Sequence, residues 1–117
     1  MYTPSRGSIE REGILDRVRE QAIRTTKEYV IFHSVKIKIK DNWALMSAQM
    51  RDKKGNPLYA FSRTKNSKVA ALLFWRAGAW EMRVFDTPAG SDKEIVDDFP
   101  EGYDAPAELF TAFLKDK

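Results

Sequence analysis

The stretch AALLFWRAGAWEMRVFD, Ala70 to Asp86, decides the fold of this chain. The apolar run from Val69 to Arg76 has strand length, Ala77-Gly78 supplies a two-residue turn, and Ala79 to Asp86 alternates apolar with polar residues. The stretch therefore predicts a β-hairpin. The alternation predicts one side with Trp80, Met82 and Val84 and another with Glu81 and Arg83.

The two tryptophans of this hairpin have two explanations. Aromatic residues are enriched in strands and in cross-strand pairs, so packing within the sheet is the first explanation for Trp75 and Trp80. The alternative is an exposed aromatic binding face, to which Trp43 would also belong.

A second pair of strands is predicted upstream. Residues 29–40 alternate with period two, Asp41-Asn42 supplies a turn, and residues 43–52 return. One side of the first strand carries Ile31, His33, Val35, Ile37 and Ile39, and the other a row of lysines, Lys36, Lys38 and Lys40. In the second strand Ala44, Met46, Ala48 and Met50 share a face.

Helices are predicted at both ends. Ser8 is a suitable N-cap for a helix over residues 8–27, with Glu10 and Glu12 in the first turn, where the helix dipole favours anions. Its apolar stripe consists of Ile14, Leu15, Val18 and Ala22. A short C-terminal helix after Asp104 places Leu109, Phe110, Phe113 and Leu114 on one side.

The order of these elements predicts an α+β fold. The N-terminal helix packs on a four-stranded antiparallel curved sheet in a cystatin-like arrangement, with strands at about 29–40, 43–52, 69–76 and 79–86 and a tail at 87–117 that ends in the short helix. Between the strand pairs, KKGNP at 53–57 breaks the chain, LYAF is a short extended piece and residues 62–68 form a loop. A nuclear-transport-factor-like arrangement has the same element order.

Composition indicates one soluble domain. The 117 residues are 43% hydrophobic and 32% charged, and no run reaches the roughly 18 apolar residues that cross a bilayer. There is no cysteine, so disulfides and thiolate chemistry are excluded. If an export signal was removed ahead of Met1, we expect a periplasmic or secreted protein, and otherwise a cytoplasmic one.

Charge is distributed unevenly along the chain. Residues 1–83 hold 17 Lys or Arg against 8 Asp or Glu, whereas residues 84–117 hold 3 against 9, within a net charge of +3. We expect the acidic C-terminal part to lie over the basic body; a nucleic-acid surface is the less favoured interpretation.

Several short stretches together resemble a family of small bacterial proteins of unassigned function. They are Ile14-Leu15-Asp16 followed by Arg19, Asn42-Trp43-Ala44, Ala71-Leu72-Leu73, Gly78-Ala79-Trp80 and Tyr103-Asp104-Ala105-Pro106, spread over about residues 6 to 110. The resemblance implies a bacterial protein, often exported, and it implies no catalytic residues.

Catalytic motifs are absent from the sequence. His33 is the only histidine; we expect it to be partly buried, and as a general base it would need Asp16 or Glu20 to orient it. The carboxylates of residues 98–104 lack the spacing of a calcium loop, and we expect no metal and no cofactor.

The sequence favours a non-enzymatic binding or protein-interaction module, with a place in the cell envelope as one possibility. Its partner would be a protein or an anionic ligand, bound at the lysine row Lys36, Lys38 and Lys40 or at His33, Trp43, Trp75 and Trp80. For the lysines themselves, a solvated face that protects an edge strand is the favoured interpretation. Alternatives are a nuclear-transport-factor-like domain that binds or converts a small molecule in a cavity between helix and sheet, and an inhibitor or immunity protein.

Overall fold

The predicted hairpin is the last of three antiparallel strand pairings. A computed structural model of the chain describes residues 2–59, 67–86 and 105–115. It contains helix α1 (Ile9–Thr26), strands β1 (Ile31–Lys40), β2 (Trp43–Arg51), β3 (Lys68–Arg76) and β4 (Ala79–Asp86), and helix α2 (Ala107–Lys115). The strands form one sheet in the order β1-β2-β3-β4. The α+β class is therefore confirmed.

The turn between β3 and β4 has the backbone that a tight hairpin needs. Ala77 and Gly78 both have positive φ, 53° and 83°. Two successive left-handed residues match the twist of the flanking strands, so the strands leave the turn in register. Trp75 consequently pairs with Trp80 next to the turn.

Helix α1 covers one face of the sheet. The Ser8 hydroxyl accepts a hydrogen bond from the backbone N–H of Arg11 at 3.1 Å, and Lys27 ends the helix in the left-handed conformation. The buried stripe is the predicted one, Ile14, Leu15, Val18 and Ala22. It packs with the predicted face of β2 and with Ile37, Ile39, Val69, Ala71, Leu73 and Trp80 in one continuous cluster. The layer between α1 and the sheet is thus filled by side chains.

Helix α2 covers the opposite face. Leu109, Phe110 and Phe113 are buried against side chains of the central strands, Leu45, Ala70 and Leu72. The lysine row lies on this same face. The ammonium of Lys36 sits 4.6 Å from the centre of the Phe113 ring, and that of Lys40 lies 3.0 Å from the Glu108 carboxylate. Part of the basic row is therefore engaged by the C-terminal helix.

Two β-bulges change the sides that strict alternation predicts. In β1 the pairing shifts between His33 and Lys36, where Ser34 has a φ of 54°. His33 pairs with Gln49, on the side away from α1, whereas Val35 packs in the α1 cluster. The prediction that His33 is partly buried beside Val35 is wrong, because the extra residue reverses the alternation and leaves the imidazole exposed.

The second bulge corrects the prediction for β4. Leu72 pairs with Val84 and Leu73 with Met82, so one residue more is present in β4 than in β3. Val84 therefore lies in the α2 cluster, while Met82 packs against the α1 cluster. The predicted common side for Trp80, Met82 and Val84 is wrong for Val84.

Several element limits also differ from prediction. Strand β1 begins at Ile31 and not at Tyr29, and Lys68, which we expected in a loop, opens β3. The predictions for residues 60–66 and 87–104, which include the second half of the LYAF piece, most of the loop and the carboxylate-rich segment, fall outside the described residues. Leu58 and Tyr59, which begin that piece, belong to no strand. No helix in the described ranges has the length and apolar character needed to span a membrane.

Substitution of Gly13 tests how closely α1 approaches the hairpin. A Cβ at Gly13 would meet Trp80 Cδ1 at 3.4 Å, an ordinary van der Waals contact. Since alanine is the better helix former, we expect Gly13→Ala to raise the free energy of unfolding by about 0.5–1 kcal/mol in urea denaturation. Gly55→Ala is the matched control, because Gly55 has a φ of 87° and open space around it. It should instead lower stability by about 1 kcal/mol. A loss at Gly13 would contradict this packing.

Truncation of Phe110 tests whether α2 is part of the core. The ring is 1% exposed, so Phe110→Ala should lower the free energy of unfolding by about 3–5 kcal/mol. Tyr59→Ala, at a ring that is 45% exposed, should change it by less than about 0.5 kcal/mol. Equal, small effects in chemical denaturation would show that α2 adds little to the fold.

Candidate functional site

Two adjoining concavities lie where the start of α1 meets the turn end of the sheet. The larger, here called the tryptophan cleft, has a volume of about 430 Å³. The smaller, here called the turn pocket, has a volume of about 280 Å³ and lies beside the β1–β2 turn. Both are lined by Glu10, Trp75 and Trp80. The two concavities therefore share one aromatic wall.

The aromatic wall is built by the hairpin. Trp75 and Trp80 are cross-strand partners, and their rings meet edge to face with centres 5.3 Å apart and planes at 66°. Trp80 is 8% exposed and packs against Gly13, while Trp75 is 40% exposed. One indole is thus held in the core and supports the other, which remains open to solvent.

The β1–β2 turn fixes the position of Trp75. Its backbone N–H donates to the carbonyl of Asn42 at 2.7 Å, so the end of β3 is joined to that turn. Asp41 in the same turn has a φ of 55° and lines the turn pocket. The pocket is consequently bounded by backbone that is hydrogen-bonded on two sides.

Tyr2 closes the pocket from the N-terminal side. Its backbone exchanges hydrogen bonds of 2.9 and 2.8 Å with Ile39, so the N-terminal segment bridges to the outer edge of β1. The phenol donates to the carboxylate of Glu10. That hydrogen bond, with smaller effects of burial and of the Glu10 charge, raises the pKa of Tyr2.

The rim of the two concavities is acidic. In the described part of the chain, four carboxylate residues line them, against one basic residue: Glu10, Asp16, Glu20 and Asp41 against Arg17. The guanidinium of Arg17 is bonded to the carboxylate of Glu20 at 3.0 Å. In a chain of net charge +3 this end is a local concentration of negative charge.

The lining residues are suited to binding. Among the described residues they offer indole and phenol rings, carboxylates and aliphatic surface, and they include no histidine, serine or lysine. Among the described residues no group of three or more His, Cys, Asp or Glu side chains could hold a metal ion. The arrangement can enclose an apolar or cationic group, and it assembles no nucleophile with a base.

Of the seven residues predicted to form a site, Trp75 and Trp80 pair on the α1 face, whereas the other five lie on the opposite face of the sheet. Trp43 lies on the α2 side of the sheet, where its ring contacts Phe74 at 4.8 Å between centres. His33 is on that same side, so Asp16 and Glu20 on α1 cannot orient it. The remaining three are the lysine row, on the face that α2 covers in part: Lys36, Lys38 and Lys40.

Sequence reasoning did not identify Tyr2, Glu10 and Asp41 as site residues. Tyr2 reaches the pocket only because the N-terminal segment pairs with β1, and no sequence signal announces that pairing. Glu10 was explained by the helix dipole and Asp41 by the turn. Gly13 in the middle of a helix was the available signal, since a helical glycine often marks a close approach of another element.

A third concavity, of about 470 Å³, lies at the opposite end of α1 beside Tyr29 and the turn after β2. The Asp52 carboxylate there accepts hydrogen bonds from the backbone N–H groups of Lys54 and Asn56, both at 2.9 Å. These bonds close the turn. They also lower the pKa of Asp52, and the bond from the Asn56 N–H makes the largest contribution. The Asp52 carboxylate therefore stabilises the turn after β2.

Comparison of the chain with protein-family models, curated proteins and solved structures gave no match. The resemblance to a family of small bacterial proteins therefore stays a prediction.

Removing the Glu10 carboxylate should lower the pKa of Tyr2 toward its ordinary value near 10. The pKa is measured by NMR from the Tyr2 ring carbons, with Glu12→Gln on the same helical turn as the control for Glu10→Gln.

Because the folded-state pKa of Tyr2 is raised, this contribution to stability is present below about pH 10 and is lost as pH rises through the folded-state pKa. Between pH 8 and 11 the free energy of unfolding should therefore fall more steeply with pH in the native chain than in Tyr2→Phe. Equal slopes would contradict the Tyr2–Glu10 bond.

Proposed function

We propose that this protein is a non-enzymatic binding module that holds its ligand in the tryptophan cleft. The observation that carries the proposal is the pair of Trp75 and Trp80. A tryptophan exposed to 40% in a concavity, backed by a second, buried tryptophan, offers a rigid apolar surface to a ligand. Burial of such a ring is among the largest favourable contributions that a single side chain makes to binding.

The apolar rim supports the same surface. Ile9 in the first turn of α1 is 92% exposed and lines the cleft together with Ala79. Cross-strand packing accounts for the pairing of both tryptophans, but it leaves Trp75 40% exposed. The exposed part of Trp75 is then available for a ligand, and its edge-to-face contact with Trp80 limits its motion.

The choice of this surface changes the earlier expectation of an anionic ligand. Lys36 and Lys40 contact α2, and Lys38 donates to the Thr3 hydroxyl at 2.7 Å. The acidic rim of the cleft also repels anions. A protein or small molecule with an apolar group is therefore the better match for the described surface.

Other proposals share this site. A nuclear-transport-factor-like domain would bind its ligand between helix and sheet, but side chains fill that layer here. Support for this alternative comes only from Trp75 and Trp80, at the open end of the layer. An inhibitor or immunity protein would use the same exposed tryptophan against a cognate partner. The cystatin-like arrangement, the bacterial family and the place in the cell envelope remain proposals.

A fragment screen by NMR tests the proposed site. The ¹⁵N-labelled chain has three indole N–H signals, one for each of Trp43, Trp75 and Trp80. We expect fragments with an apolar ring to shift the signals of Trp75 and Trp80 and to leave that of Trp43 in place. Trp75→Ala should weaken these fragments about tenfold or more, because the loss of one buried aromatic contact exceeds about 1.4 kcal/mol.

Tyr59→Ala serves as the matched control, since Tyr59 is an exposed ring that lines neither concavity. It should leave fragment affinity unchanged. A screen without binders, or binders that cluster at Trp43 and the lysine row, would overturn the proposal.

A further inference from the structure

The turn pocket differs in charge from the rest of the molecule. Among the described residues its lining contains two carboxylates, Glu10 and Asp41, and no lysine or arginine. The chain as a whole holds 20 basic residues against 17 acidic ones, so the described lining differs in charge from the average of the chain. A negative potential in a concavity attracts cations and is less screened by solvent than on a flat surface.

Three aromatic rings also line the pocket, those of Tyr2, Trp75 and Trp80, together with Ile39 and Asn42. The face of an indole or phenol ring carries negative charge from its π electrons and attracts weakly hydrated organic cations. Walls of this kind combined with carboxylates favour an alkylammonium group over Ca²⁺ or Mg²⁺, which take about six or more oxygen ligands.

The carboxylates retain acceptor capacity. One Glu10 oxygen, Oε2, accepts from the Tyr2 hydroxyl, and a carboxylate has about four lone-pair positions. Asp41 lies in the two-residue turn Asp41-Asn42. The carbonyl of Asn42 accepts a hydrogen bond from the backbone N–H of Trp75, which holds the turn in place. Lys40 is the basic residue next to Asp41 in the sequence, and its ammonium forms an ion pair with Glu108 of α2. The charges of the pocket are therefore positioned before any ligand arrives.

We propose, as an extension that rests on the function proposed above, that the turn pocket binds the ammonium group of a small organic cation. The volume of about 280 Å³ lies just below the range of drug-sized sites, which favours a small quaternary or alkylammonium compound over a basic side chain presented by a protein. The apolar part of the ligand extends along the shared aromatic wall into the tryptophan cleft.

The test compares two probes that differ in charge alone. Choline and its neutral isostere 3,3-dimethylbutan-1-ol are titrated into the ¹⁵N-labelled chain at fixed ionic strength, with sodium chloride as the reference salt. We expect choline to shift the Trp75 indole signal and to bind about tenfold more tightly than the isostere, a difference typical of cation–π contacts reinforced by carboxylates. Choline affinity should fall when sodium chloride is raised.

Asp41→Asn removes one charge and keeps the turn, because asparagine tolerates positive φ as well as aspartate does. It should weaken choline about three- to tenfold and leave the isostere unchanged. Glu28→Gln is the control; Glu28 is an exposed carboxylate that lines the distant third concavity. It should change neither probe.

The outcomes separate this inference from the proposed function. Equal affinity for the two probes, with loss of both in Trp75→Ala, would overturn the preference for a cation and leave the tryptophan cleft as a binding site. If choline fails to bind while fragments occupy the tryptophan cleft, the preference for a cation is likewise overturned and the cleft remains a binding site. A short arginine peptide that binds more than tenfold better than choline would overturn the assignment to a small ammonium compound. Failure of choline and of every fragment would overturn both proposals.

Discussion

Burial of both faces of the central strands is the constraint on which the rest of this structure depends. In β2 and β3 five successive residues are buried, so side chains that point in opposite directions both need cover. Met46 and Leu73 face α1, whereas Leu45 and Leu72 face α2. An antiparallel sheet can keep one face in water, but this composition of β2 and β3 does not allow it. Both helices are therefore required. The lysines of β1 lie on the α2 face, where the ammonium of Lys36 contacts the Phe113 ring and that of Lys40 contacts the Glu108 carboxylate.

The candidate site follows from the way these layers end. Helix α1 begins where the β3–β4 turn lies, and the Trp80 indole packs against the helix at Gly13. Burial of Trp80 leaves its pairing partner Trp75 at the margin of the core. The N-terminal segment then adds Tyr2 along the edge of β1 and places its phenol on Glu10. An aromatic wall with an acidic rim arises where four separate segments of the chain meet.

The errors of the sequence interpretation come from the bulges. Strict period two placed His33 on the core side and Val84 beside Met82, and one inserted residue in each strand reversed those assignments. A bulge depends on the fit between a strand and its neighbour, so it leaves little trace in the strand's own sequence. The hypothesis of His33 as a base oriented by Asp16 or Glu20 depended on that assignment. The basic row was also interpreted without its partner, because the position of α2 relative to β1 is a tertiary feature.

The sequence by itself determined the class and order of the elements. Helical periodicity with the Ser8 cap, period two in the strands and the turn residues Asp41-Asn42 and Ala77-Gly78 are local properties of the chain, and all are present in the structure. Only the tertiary structure decided which side chains share a concavity. Tyr2, Glu10, Asp41 and Trp75 are distant in sequence, and their proximity results from strand pairing, layer packing and the join between Trp75 and Asn42. Such contacts depend on long-range burial and hydrogen bonding, which no single segment encodes.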